Sequence, residues 1–176
     1  MTDDNGCIST TTTQITEPVI LTAVATNTAV SCSGSSDGSV VGSASGGIAP
    51  YNMSWTGPNT GDPAGDEITT DGGFYTVNGA PVGTYTITMT DANGCSVSTN
   101  TSINQPLLLQ ASTSAVAPLC NGFFNGSVAV IATGGTASYN VTWSGPSNGN
   151  PLGFEIINDG ETYTIINAGE GTYTIS

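Results

Sequence analysis

Two sets of side chains in this chain could do chemistry. One is four cysteines, Cys7, Cys32, Cys95 and Cys120; the other is a run of carboxylates, Asp62, Asp66, Glu67 and Asp71. Four cysteines allow three ways of forming two disulfides. The carboxylates fall within ten residues with no cation beside them, so their oxygens are weak candidate ligands for calcium, a hard cation that takes oxygen donors. Further along the chain, Asn150 and Phe154 stand where the same pattern has Asp62 and Asp66, and only Glu155 and Asp159 keep their acids. An ion needed by every unit would not lose half its ligands in this way. A solvated acidic loop is the default expectation, and no cofactor is expected.

The rest of the chemical inventory is missing. The chain has 13 Asp and Glu, no Lys, no Arg and no His, for a net charge of −13. Without Lys or Arg there are no phosphate clamps or counterion-releasing contacts, which argues against nucleic acid as a partner. Without His there is no imidazole base and no His-containing zinc site. Ser and Thr are abundant, but a hydroxyl nucleophile needs an adjacent base, and none is in sight. An enzyme is not expected. With only 7% charged residues, the surface must be clothed in Thr, Ser, Asn and Gly. Such an uncharged, hydrated surface suits a molecule outside the cell at high local density. No apolar run is long enough to span a membrane.

The elements that must position these residues come in duplicate. Cys32 and Cys120, Trp55 and Trp143, and Pro18 and Pro106 are each separated by 88 residues. Aligning residue n with residue n + 88 needs no gap, and 42 of the 88 pairs are identical. The chain is two copies of one 88-residue unit, and a fixed period of self-similarity marks an array of like modules. The opening "MTDDNGC" matches "MTDANGC" at 89–95, so Met1 corresponds to the internal Met89. Met1 is expected not to be a translation start, and the 176 residues to be a stretch of a longer chain.

Within the unit, alternation dominates. In "GTYTITMT" the residues Tyr85, Ile87 and Met89 share one face and the threonines the other, the pattern of a half-buried strand. Tyr173 and Ile175 repeat it. A second alternation runs through Tyr51, Met53 and Trp55, matched by Tyr139, Val141 and Trp143, and a third includes Val40 and Ala44, matched by Val128, Val130 and Ala132. The predicted core is therefore Tyr51, Trp55, Tyr85 and Ile87, with Tyr139, Trp143, Tyr173 and Ile175 as equivalents. "DANG" at 91–94 carries the Asn-Gly pair of a tight hairpin. Pro18 and Pro106 cannot donate to a ladder and mark unit junctions. These signals predict an all-β chain of tandem immunoglobulin-like β-sandwich repeats with about seven short strands each. Residues 1–18 read as the last strand of a preceding repeat, 19–106 as a complete repeat, and 107–176 as a repeat lacking its last strand.

The residues "GGIAPYNMSW" and "GGTASYNVTW", the "DGS" at 37–39, "GTYTITMTDANGC" and the "TEP" or "NQP" junctions resemble the SprB repeat. That repeat occurs in very large gliding-motility and surface adhesins secreted by the type IX system of Bacteroidota. The second copy departs from the pattern at Asn125 and Ser138. The resemblance implies an extracellular, cell-surface modular sandwich with a structural or adhesive role, and carries over no catalytic residue.

In a secreted chain the cysteines are expected in disulfides. A Cys32–Cys95 bridge closing one repeat is favoured, with Cys7 and Cys120 pairing to neighbouring repeats. The objection is that immunoglobulin topology puts Cys32 and Cys95 at opposite ends of the sandwich; a bridge between repeats or between chains is the rival, and free thiols are the remaining alternative. Trp55 and Trp143 could stack on surface glycans, with the long loop at 56–82 as a carbohydrate-binding element, but a Trp on a central strand is more often core. Asn52, Asn100, Asn125 and Asn140 begin glycosylation sequons, a motif common by chance. The Thr-rich strand faces are read as ordinary hydrated sheet surface. A carbohydrate-binding module and a subunit of a surface layer or sheath are the alternatives to an adhesin repeat. Residues 1–18 of one copy are expected to complete the 107–176 sandwich of the next, through a continuous chain or by strand donation, so that further copies of the repeat are the expected partners.

Overall fold

A computed structural model describes residues 1–61, 68–146 and 156–176. Among these residues every regular element is a strand. The first unit contains β1 (Thr22–Thr28), β2 (Gly38–Ser45), β3 (Asn52–Thr56), β4 (Phe74–Ala80), β5 (Gly83–Thr90) and β6 (Ser96–Ile103). They form two antiparallel three-stranded sheets, β1-β2-β4 and β3-β5-β6. This is the arrangement of an immunoglobulin-like sandwich, two sheets joined by Greek-key connections. Among the described residues it has six strands where the turn spacing predicts about seven.

The strands form where the alternation places them. Val40 and Ala44 of β2 point inward with Gly42 between them, and Tyr85, Ile87 and Met89 of β5 face them from the other sheet. Pairing sets Met53 opposite Met89 and Trp55 opposite Ile87. A shift of one residue would turn all of these side chains to water, so burial of one face fixes the register. Gly42 has a steric reason: a Cβ there would lie 2.6 Å from Met89 Cε and 2.7 Å from Met53 Sδ. In the second unit Val130 takes that place, and Val141 replaces Met53.

β6 closes the first sandwich. It pairs along its whole length with β5, from Gly83 opposite Ile103 to Thr90 opposite Ser96. Its far side lies along β1, where Asn27 Nδ2 donates to Thr101 Oγ1 at 2.7 Å and the Val30 N–H donates to the Asn104 carbonyl at 3.2 Å. β1 and β6 therefore run side by side in the same direction. Ile103, at the end of β6, is 1% exposed.

The second unit contains β7 (Gln110–Val116), β8 (Gly126–Thr133), β9 (Trp143–Ser144), β10 (Thr162–Ala168) and β11 (Thr174–Ile175). β7-β8-β10 reproduces the first sheet, and β9-β11 is a two-stranded remnant of the second. Among the described residues nothing occupies the place that β6 fills in the first unit. Residues 1–20 are exposed throughout, and their only strand-like feature is a small antiparallel bridge between Thr2 and Ile8.

Candidate functional site: an open edge and a preformed turn

The open edge of the second unit is the largest departure from the closed sandwich beside it. β7 is exposed along its whole length, whereas alternate residues of β1 are half-buried under β6. Leu109 is 57% exposed where its counterpart Leu21 packs against the core. An apolar groove of about 80 Å³ opens between the sheets, lined by Leu109, Ala111, Val130, Tyr139, Val141 and Ile175. The corresponding space in the first unit holds Met89, which contacts the Gly42 position and lies opposite Met53.

The turn leading into β6 is built on Asp91. Its Oδ1 accepts the N–H groups of Asn93 at 3.0 Å and Cys95 at 2.8 Å, and its Oδ2 accepts the Ile48 N–H at 3.1 Å. The backbone adds bonds from the Asp91 N–H to the Cys95 carbonyl, from the Gly94 N–H to the Asp91 carbonyl, and from the Ala92 N–H to the Ile48 carbonyl. Burial alone would push the Asp91 carboxyl up. The N–H groups of Cys95, Ile48 and Asn93 outweigh it and hold the carboxyl below its ordinary range. A buried carboxylate persists when such donors satisfy it. Sequence reasoning passed over Asp91, although an Asp two residues before the Asn of a tight turn is the signature of an Asx turn.

Residues 3–7 form the same turn without any sandwich around them. Asp3 Oδ1 accepts the N–H groups of Asn5 at 3.0 Å and Cys7 at 2.7 Å. The Asp3 N–H donates to the Cys7 carbonyl and the Gly6 N–H to the Asp3 carbonyl, and Gly6 and Gly94 share a φ of 84°. The bond from the Cys7 N–H is the main cause holding the Asp3 carboxyl below its ordinary value.

The predicted core residues divide between the units. Tyr51, Tyr85 and Ile87 are buried, and Trp55 is half-buried at the rim of the core, its ring 6.2 Å from Tyr75 in a stacked arrangement. Tyr139 is buried, but Trp143, Tyr173 and Ile175 are only half-buried. Ile175 lies in β11 and Tyr173 just before it, and among the described residues no strand covers them. Trp143 packs at the rim as Trp55 does, 5.9 Å from Tyr163. Both indole N–H groups are buried without a hydrogen-bond partner among the described residues.

The buried tyrosines carry structural hydrogen bonds. Tyr85 Oη donates to the Pro81 carbonyl at 3.0 Å, the tyrosine corner of immunoglobulin-like sandwiches; Tyr173 Oη donates to the Gly169 carbonyl at 3.4 Å and accepts the Gly169 N–H at 3.0 Å. Tyr51 Oη donates to the Gly46 carbonyl at 2.7 Å and to Asp71 Oδ1 at 3.3 Å; Asp71 Oδ1 also accepts the Gly46 N–H. Tyr139, Gly134 and Asp159 repeat the arrangement. Asp71 is thus a lock on the loop before β3, which explains why it and Asp159 are the acids kept at that position in both copies. Asp62, Asp66 and Glu67 lie outside the described residues. Among the described residues no three carboxylate, Cys or His side chains gather as a metal site.

The expected Cys32–Cys95 bridge is not formed. All four cysteines are free and exposed. Cys95 precedes β6 at one end of the sandwich, and Cys32 follows β1 at the other. An eight-residue strand spans about 26 Å, whereas bridged cysteines have Cα atoms within about 7 Å. The topological objection outweighs the pairing.

The SprB repeat family model matches residues 23–60 and 112–148, one stretch in each unit, at equivalent places of the 88-residue period. The chain is therefore similar to the SprB repeat at two places, one in each unit. No curated protein matches it.

Proposed function

We propose that this chain is a structural segment of a long extracellular surface adhesin or filament, in which each sandwich is completed across a repeat junction. The SprB repeat is a structural repeat family of surface proteins, which supports the coarse reading. The observation that carries the finer one is the match between an unfilled place and a preformed part. Among the described residues no turn and strand fill the edge of the second unit, and residues 1–9 already hold the internal hydrogen bonds of such a turn.

Residues 1–18 of one copy then take, on the open unit of another, the place that 89–106 take in the first unit. Met1 enters the groove between Val130 and Val141 as Met89 enters that between Gly42 and Met53. Asp3 meets the backbone of Thr136 as Asp91 meets Ile48, and Ile15 is buried as Ile103 is. Exposed strand edges drive such pairing, because their backbone groups are unsatisfied and the apolar face beneath them is wet. The same edges are joined if Ser176 and Met1 are linked in one continuous polypeptide. Either way the product is linear, and the function is mechanical: a stalk that holds an adhesive element away from the cell. Secretion to the cell surface and service in gliding belong to the same reading.

Light scattering on the purified chain tests it. The full chain is expected to form linear multimers whose length grows with concentration, the chain without residues 1–18 to stay monomeric, and a synthetic 1–18 peptide to shorten the multimers by capping open units. Multimers unaffected by removing 1–18 would overturn it, and a full chain that stays monomeric would overturn strand donation between separate chains.

A further inference from the structure

The four cysteines, none of which can pair within its own unit, are placed to pair across unit junctions. This inference rests on the strand-completion reading above. At the trailing end of the first unit, the Gly34 N–H donates to Gln105 Oε1 at 2.9 Å and the Val30 N–H to the Asn104 carbonyl, so the loop bearing Cys32 lies over the last residues before Pro106. At the leading end, a groove of about 410 Å³ brings Cys95 together with Glu17, Pro18 and Val19. Glu17 and Pro18 occupy the positions of Gln105 and Pro106 in the period. One junction residue thus touches a Cys32-type loop on the unit it leaves, and a Cys95-type turn on the unit it enters.

The second unit supports the same geometry from its open side. Beside Cys120 lies an empty groove of about 320 Å³, lined by Ala117, Pro118, Asn121 and Glu170. In the first unit that place is filled by Asn104 and Gln105, bonded to Val30 and Gly34. Donated residues 16 and 17 would fill it in the second, bringing the donor's own leading end, with Cys95, against Cys120. At the other junction the donated turn brings Cys7 to the leading end of the acceptor's second unit, next to the acceptor's Cys32.

We infer that adjoining copies are joined by two disulfides, Cys7 of the donor with Cys32 of the acceptor, and Cys95 of the donor with Cys120 of the acceptor. Each bond forms by exchange with a small-molecule disulfide such as oxidised glutathione. One cysteine thiolate attacks it, giving a mixed disulfide and releasing one glutathione thiol. The second cysteine thiolate attacks the mixed disulfide, forming the Cys–Cys bond and releasing the second thiol. Two protein thiols are oxidised and one glutathione disulfide is reduced to two thiols. The exposure of all four sulfurs leaves them open to this exchange.

The test is a set of Cys→Ser double variants, sized by light scattering under reductant and then treated with oxidised glutathione and run on a denaturing, non-reducing gel. The wild type is expected to give a ladder of covalent multimers. C7S with C32S, and C95S with C120S, each keep one complete pair and are expected to keep the ladder. The other four double variants, C7S with C95S, C7S with C120S, C32S with C95S and C32S with C120S, are expected to lose it. A ladder from any of those four, or none from the first two while all variants assemble under reductant, overturns the pairing and leaves strand completion standing. A wild type that is monomeric with and without reductant overturns both.

Discussion

The two units of this chain share one sequence pattern and differ by one strand. In the first, β6 lies between β5 and β1, and Tyr85 and Ile87 are fully buried. In the second, the identical residues Tyr173 and Ile175 are half-buried, and β11 comprises only Thr174 and Ile175. In the other sheet the change stops at the edge: β7 is exposed throughout where β1 is partly covered, while β8 keeps the alternation of β2, with Val130 2% exposed. The difference shows that the hydrophobic pattern of a strand is not enough to bury it. β5 owes its burial to the next strand, β6, held in turn against the distant β1, and where no such neighbour is present the same residues stay wet.

The largest expected effect is to supply the missing strand. Appending a copy of residues 89–106 after Ser176 should close the second unit and bury counterparts of Met89 and Ile103. Full burial of one such side chain is worth about 1.5–3 kcal/mol, and about 1.4 kcal/mol is a tenfold change in an equilibrium constant. Hydrogen exchange at β7, β8 and β11 should slow by at least about tenfold, while β2 and β5 keep their rates. Unchanged exchange in the second unit would show that the open edge is not what separates the two.

Filling Gly42 comes next. Gly42→Val should destabilise the first unit by about 1–3 kcal/mol, because the new methyls press on Met53 and Met89. Adding Met53→Val reproduces the second unit's Val130 and Val141 pair and should restore much of that loss. A double-mutant cycle on thermal unfolding reads the coupling, and simple additivity of the two changes would disprove the contact.

Smaller again is the tyrosine corner. Tyr85→Phe removes the bond to the Pro81 carbonyl beneath the closed sandwich and should cost about 1 kcal/mol. Tyr173→Phe, on the uncovered side, should cost less. Chemical denaturation of the two single variants compares them directly, and equal losses would contradict a role for β6 in desolvating the bond.

The smallest effect is with acid. The Asp91 carboxyl is held below its ordinary value in the folded unit, so its contribution is fully present above the ordinary carboxylate range. It fades as pH falls through the lowered value. Asp91→Asn should flatten this part of the pH dependence of the first unit, read as melting temperature against pH. The second unit, where no such turn is found among the described residues, should show no corresponding change. A steep acid response that survives the substitution would place its origin elsewhere.

Local chemistry left clear marks in the sequence. The period of 88, the inward faces of β2, β3 and β5, the tight turn at 91–94 and the all-β class each follow from neighbouring residues alone. The family resemblance added the SprB motifs. The carboxylate at Asp91 was legible in principle as an Asx turn, and Asp71 was visible as an acid kept in both copies, although its role was not. The Cys32–Cys95 pairing failed because spacing along the chain says nothing of which end of a sandwich a turn occupies.

What the sequence determined by itself is therefore which residues alternate, where the chain turns and how often the unit repeats, since these depend on covalent neighbours and on the two-residue period of a strand. What only the tertiary structure decided is which strands meet. That includes the seating of β6 against β1, the resulting burial of Tyr85 but not Tyr173, the lock between Asp71 and Tyr51, and the placement of Cys32 and Cys95 at opposite ends. Those contacts join residues tens of positions apart, and their free energy comes from removing apolar surface and backbone groups from water together. No local pattern records that event.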